Sequence, residues 1–277
     1  MSVHVFDTMG TTASIRTHGA PPPPETLAEV EGEFRTRDHR FSLYREDSEA
    51  SLIARGDLHL TRASQEFLDT FARANDWRNR TGGAFTAQRP DGVIDLSGIV
   101  KAEAVEAAEG VLVRHGIHDY LINVGGDGVA SAATGQPELG TGRRRALSWR
   151  AGVVDPEDRS RLLFGVDLAW PWRAIATSGT AERGEHIWRQ TPIGGYLQVT
   201  VLASDIVTAD VLATAILSGG SETLDNVVDS YDIDVFAIGT TGGWQMTGRL
   251  RAATQSPHRT GGHDDSSQPV TAAGDYL

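Results

Sequence analysis

The stretch SWRAGVVDPEDRSRLLFGVDLAWPWRAIAT, residues 148–177, decides the fold. It reads as three short strands in succession, 148–154, 161–168 and 173–177, with no helix between them. A doubly wound parallel sheet needs a helical crossover between neighbouring strands, so this run argues for α+β instead. Downstream, Leu197, Val199 and Val201 alternate along a strand at 197–203. A helix at 207–218 follows, stopped by Gly219 and Gly220, and then a hairpin of 233–239 and 243–250 around Gly242. From Gln255 onward the chain is polar and reads as a mobile tail.

Upstream, Tyr120 to Val124 reads as a buried strand running into Gly125 and Gly126. Residues 131–146 are rich in Gly, Thr and Arg and read as a loop. The alanine-rich 99–115 carries Val105, Ala108, Leu112 and Val113 at helical spacing, with Gly116 as its cap. Val93 to Leu96 is short and apolar. Residues 61–79, with Ala63, Phe67, Leu68, Phe71 and Trp77, form an amphipathic helix ended by Thr81, Gly82 and Gly83. FSLYREDSEAS at 41–51 lacks a period and reads as a loop. Leu27, Val30 and Phe34 place a helix at 25–36, after the stiff connector Pro21 to Pro24. Residues 2–17 read as a strand pair broken at Gly10. The expected fold is α+β, with mixed, largely antiparallel sheets flanked by helices.

Composition narrows the function. The 277 residues carry 25 Lys and Arg against 37 Asp and Glu, a formal net charge of −12. That acidity argues against nucleic acid as a partner, whose phosphate backbone needs a positive footprint. The absence of Cys excludes disulfides, thiolate zinc sites, iron–sulfur clusters and a thiol nucleophile. MSVHVFDTMGTTASIR has neither the basic start nor the apolar run of a signal peptide. Without Cys no lipid anchor through a thiol is expected. The most apolar stretch, 197–220, is interrupted by Asp205 and Asp210, so no membrane span or anchor is expected and the protein reads as cytoplasmic.

Several segments combine chemistry with an ordinary structural reading. In NVGGDG, 123–128, two glycines let a ligand approach a strand end, and Asp127 would touch a sugar hydroxyl or a metal; taken alone, the segment reads first as a tight turn with an acidic cap. In DLSGIVK, 95–101, a helix N-terminus offers free N–H groups to an anion and Lys101 adds charge; an N-cap with a solvated lysine is the alternative. Asp210 and Thr214 share a helix face and are hard oxygen ligands suited to Mg²⁺ or Ca²⁺, or else an ordinary helix start. Ser178, Gly179 and His186 in AIATSGTAERGEH suggest a ligand-lining turn with a general base, or a structural histidine. Tyr44 in FSLY would stack on a flat ring or close the edge of a core. Taken together, these features suit a metal-dependent enzyme acting on an aromatic phosphoryl compound.

In order along the chain stand DTMGT, FSLYREDSEAS, TGGAF, DLSGIVK, INVGGDG, WRAGVVDP, AIATSG, EHI and ADVLATA. By this ordered set, across roughly residues 5 to 250, the chain resembles the ApbE-type FAD:protein FMN transferases. The resemblance implies one such domain over 1–254, with 255–277 as the tail. It implies Mg²⁺-dependent transfer of FMN from FAD, the substrate, to a Thr or Ser of an acceptor protein, releasing AMP. It implies that Met9, Tyr44, Ala84, Phe85, Thr86, Asp95 and Lys101 line the FAD site, with Ile187 against the flavin. It implies metal coordination by Asp210, Thr214 and the carbonyl of Gly98, and catalysis by His186 and Asp210.

This sequence also departs from the family pattern. Thr86 stands where the family usually has Asp, and Ala102 and Glu103 where Gly and an aromatic usually follow the lysine. After His186 and Ile187, the segment with Trp188, Arg189 and Gln190 is shortened and altered. Two alternatives therefore stand beside transfer: an FAD pyrophosphatase giving FMN and AMP, and a non-catalytic FAD-binding protein.

Overall fold

The computed structural model describes residues 1–131, 149–179 and 195–255. Strands β1 (Ser2–Thr8) and β2 (Thr11–Thr17) form a hairpin whose two-residue turn is Met9 and Gly10, both at positive φ. Helix α1 (Pro24–Phe41) starts on the last proline of the connector, where a missing N–H costs nothing, and runs five residues beyond the expected 36.

Helix α2 (Glu49–Ala54) corrects the reading of 41–51 as a loop throughout: Ser48 accepts the Ser51 N–H at 3.0 Å and nucleates a helix from its end. Helix α3 (Gln65–Arg80) begins later than the expected 61, because a 3-10 turn at Leu60–Arg62 comes first and Ser64 is the N-cap. Helix α4 (Ser97–Arg114) matches the alanine-rich segment.

Next come β3 (Tyr120–Val124) and β4 (Asp127–Ala130), with Gly125 and Gly126 between them. The strands expected from 148–177 are β5 (Trp149–Val154), β6 (Leu162–Leu168) and β7 (Ala174–Gly179). After β8 (Tyr196–Ala203), helix α5 (Ile206–Ser230) is broken at Gly220, φ 75° and ψ −155°. The expected stop is therefore a kink, and helix resumes beyond it. β9 (Asp234–Gly239) and β10 (Trp244–Met246) form the expected hairpin, but from Gly248 the chain turns into helix α6 (Gly248–Gln255) rather than continuing as strand. The expected loop 131–146 and the tail lie almost entirely outside the described residues.

Eight strands form one sheet in the order β1-β2-β3-β4-β7-β8-β9-β10, and β5 and β6 form a separate pair. Every pairing in both sheets is antiparallel among the described residues, in keeping with the expected α+β fold of largely antiparallel sheets flanked by helices. Alternation along the strands divides two cores. Ile122, Ala176, Val199, Val201, Val235 and Ala237 face a large core shared with α1, α4 and α5. Their neighbours Leu121, Ile175, Leu202 and Phe236 face a smaller core closed by Ala151, Val153, Val166 and Leu168 of the β5–β6 pair. The sheet is thus covered by helices on one face and by a two-stranded sheet on the other.

Candidate active site

At one end of the large sheet, three buried charged groups meet between sheet and helices. The Gly125–Gly126 turn delivers Asp127 as the first residue of β4, on the same side as Val129 and so toward the helical layer. Lys101, one turn into α4, is in direct contact with the Asp127 carboxylate, and its Nζ stands 3.9 Å from Asp210 Oδ2. The side chains of Asp127 and Asp210 are 2% and 1% exposed, so the three charges interact with little solvent screening.

Asp127 is anchored from behind. Its Oδ1 accepts the Thr177 N–H of β7 at 2.8 Å, and its carbonyl accepts the Asn123 amide at 3.2 Å. Thr214 lies one helical turn beyond Asp210 and shares a 3.0 Å hydrogen bond with Ser178 at the end of β7. On the opposite face of β7, Thr177 and Thr200 are joined at 2.9 Å. Asp205 caps α5 by accepting the Thr208 N–H at 2.8 Å, which sets where Asp210 and Thr214 fall.

A buried carboxylate and a hydroxyl on one helix face are hard oxygen donors, and they fit a small hard divalent cation better than a soft metal. Among the described residues no group of three or more His, Cys, Asp or Glu could hold a metal. Any cation here would therefore need the hydroxyl and main-chain oxygens as well as carboxylate.

The other expected site residues divide into neighbours of this cluster and residues around it. Ala84 and Phe85 are buried in the turn after α3, where Thr81 Oγ1 accepts the Phe85 N–H at 3.1 Å. That turn wedges against two helices. A methyl group added at Gly98 would lie 3.2 Å from the Phe85 ring, and one at Gly219 2.9 Å from the Ala84 side chain.

Asp95 accepts the Ser97 N–H at 3.0 Å in a local turn just ahead of α4, whose N-cap is Leu96. Thr86 accepts the Gln88 N–H at 3.1 Å, also a local turn bond. Met9 packs its side chain on the large core. Tyr44 stands on the α1–α2 loop and is 83% exposed. His186 and Ile187 lie outside the described residues, between Gly179 and Gly195.

Asp127 carries more of the site than sequence reasoning gave it, and Thr200 holds Thr177 behind it. Asp127 was legible as an acid after a glycine pair, but only the fold aims it at Lys101. Thr200 sits in an apolar strand and offered no signal. Glu103, a departure from the family pattern, is buried, and its carboxylate accepts from Thr70 at 2.8 Å and from Arg73 at 3.3 Å, both on α3. An acid at this position is thus paired rather than stranded. Two surface clefts, about 300 Å³ between α5 and β9–β10 and about 460 Å³ over α1 and α2, are lined by none of Lys101, Asp127, Asp210 or Thr214.

The chain matches the ApbE family over residues 9–91 and 86–237, and it belongs to that family. It is 27% identical over 188 residues to an FAD:protein FMN transferase of Rhodobacter capsulatus, covering 64% of this chain and 34% of that one. It is 28% identical over 169 residues to an FAD:protein FMN transferase of Vibrio cholerae serotype O1, covering 57% of this chain and 48% of that one. The chain therefore spans between a third and a half of the curated relatives it matches. In fold it is similar to the crystal structure of the ApbE protein of Thermotoga maritima, with a TM-score of 0.71 at 18% identity over 92% of this chain and 99% of that one.

Proposed function

We propose that this protein is an FAD:protein FMN transferase, moving FMN from FAD to a Thr or Ser hydroxyl of an acceptor protein and releasing AMP. The observation that carries the reading is the Lys101–Asp127–Asp210 cluster beside Thr214 and Ser178, with the Ala84–Phe85 turn packed on the two helices that carry Lys101 and Asp210. Separate stretches of the family motif set meet there. Lys101 supplies positive charge for a pyrophosphate at the start of α4, where free N–H groups also favour an anion. Ala84 and Phe85 give an apolar wall, and Tyr44 a face for a flat ring.

Asp210, Thr214 and the Gly98 carbonyl are the groups that would hold Mg²⁺. Bound there, Mg²⁺ would neutralise phosphate charge for in-line displacement. His186 would accept the proton from the incoming hydroxyl. Met9, Thr86, Asp95 and Ile187 complete the proposed FAD site.

The test is AMP release from FAD with Mg²⁺, run with and without a flavin-acceptor domain. Transfer gives AMP only with the acceptor, together with an acceptor that gains the mass of FMN. AMP without acceptor would make the protein an FAD pyrophosphatase. Bound FAD with no AMP would make it an FAD-binding protein, and either result overturns the proposal.

A further inference from the structure

The cleft of about 300 Å³ between α5 and β9–β10 joins an apolar lining to uncompensated charge. Leu224, Val228, Val235 and Met246 supply the apolar surface. Asp225 and Asp229 line the same cleft, one turn apart on one face of α5. Like charges at that spacing repel, and neither aspartate has an ion pair among the described residues. Arg249, the basic residue that follows the cleft in the chain, is engaged by Asp232 at 2.8 Å and by Asp234 at 2.5 Å. On the strand side, the Tyr196 hydroxyl donates to Gln245 Oε1 at 2.9 Å and fixes that part of the wall. Burial pushes the Tyr196 phenol up and the Asp225 charge adds to it, so the field of Asp225 reaches this wall.

An apolar floor under unpaired carboxylates complements a lysine or arginine side chain, which has a methylene stem and a cationic tip. Carboxylates four residues apart stand about 6 Å apart along a helix. Alternate side chains on one face of an extended strand repeat at about 6.8 Å, close to the same spacing. β10 is the last strand of its sheet among the described residues, so a chain has room to run along the cleft. A second copy of this protein, at a net charge of −12, is a poor electrostatic match for it.

We propose that this cleft docks an extended segment of a partner protein that presents basic side chains at alternate positions to Asp225 and Asp229. It is lined by none of the Lys101 cluster, and the inference does not depend on the transferase reading.

The test is fluorescence anisotropy of a labelled peptide, Gly-Val-Lys-Val-Lys-Val-Gly, titrated with the full chain at low salt. The peptide should bind with a Kd of about 0.1 mM or tighter. The same peptide with Glu for both Lys should not bind. Asp225→Asn with Asp229→Asn should raise Kd about fivefold or more. Glu25→Gln with Glu157→Gln removes equal charge from two exposed positions elsewhere, and should change Kd by less than about twofold. Exchanging both Lys of the peptide for diaminobutyric acid keeps the cations on shorter stems, and should weaken binding about threefold or more.

No binding by the wild type, equal weakening in the two double variants, or indifference to stem length overturns the proposal. So does displacement of the peptide by free pentylamine at concentrations near the peptide Kd, which would make the cleft a site for a small amine. The peptide exchanges leave the protein unaltered, so they decide the matter even where a variant fails to fold.

Discussion

Gly125 turns the chain from β3 into β4 at φ 60°, and a Cβ there would lie 2.9 Å from Thr11 Oγ1 on the neighbouring hairpin. An alanine would meet backbone strain and a close contact together. Gly125→Ala should cost about 1–3 kcal/mol, read as a shifted urea midpoint with an unchanged slope. At Asp210 the prediction is chemical. Asp210→Ala should abolish Mg²⁺-dependent AMP release from FAD in the presence of acceptor, and unchanged turnover would remove Asp210 from the proposed cation site. Asp210 and Thr214 were legible in the sequence because a four-residue spacing already defines a shared helix face. The Lys101–Asp127 contact was not, because 26 residues separate its partners and only the sheet brings them together.

Among the elements, α3 and α4 show how a buried charge is accommodated. Glu103 of α4 is satisfied by Thr70 and Arg73 of α3, and Arg73 also reaches Glu106 at 2.7 Å. Arg73→Met keeps much of the side-chain bulk while leaving Glu103 with Thr70 as its remaining α3 partner. The buried carboxylate then loses a charged donor, and the variant should be less stable by about 1–3 kcal/mol in urea denaturation. Glu103→Gln in the same background should recover part of that loss, since a neutral amide needs no counter-charge. Helix α5 is the other telling element. Its glycine pair reads as a terminus in the sequence, yet burial of Leu224 and Val227 beyond Gly220 draws the chain back into helix. Tertiary packing here overrides a local stop signal.

Across the whole molecule, a buried network at the other end of the cores ties helix to sheet. Tyr120 of β3 donates to Glu109 of α4 at 3.0 Å, and Glu109 is also in contact with Arg173, just ahead of β7. Burial, reinforced by the nearby Glu109 charge, holds the Tyr120 phenol well above its ordinary value. A folded-state pKa raised in this way stabilises the fold below the unfolded value, about 10, and the contribution is lost as pH rises past it. Stability should therefore fall on going from pH 9 to pH 11, and Tyr120→Phe should flatten that slope in thermal melts across the range. Equal slopes in the two proteins would remove Tyr120 as its source. Burial likewise raises the Glu109 carboxyl, against the pull of Arg173 and the Tyr120 hydrogen bond, so its ionisation works against the fold as pH rises past the ordinary carboxylate range.

What the sequence by itself determined is local. Strand and helix periods, the run of three strands that excludes a doubly wound sheet, the hairpins at Gly10 and Gly242, and the shared face of Asp210 and Thr214 all follow from spacing within one turn or one pleat. The ordered motifs carried the family resemblance for the same reason, since each is a short contiguous stretch. Only the tertiary structure decided that eight strands pair antiparallel in the order β1-β2-β3-β4-β7-β8-β9-β10, that β5 and β6 leave that sheet to cover its second face, and that Asp127 stands between Lys101 and Thr177. Strand order and charge pairing over long separations depend on which faces can be buried together, and no short-range period encodes that choice.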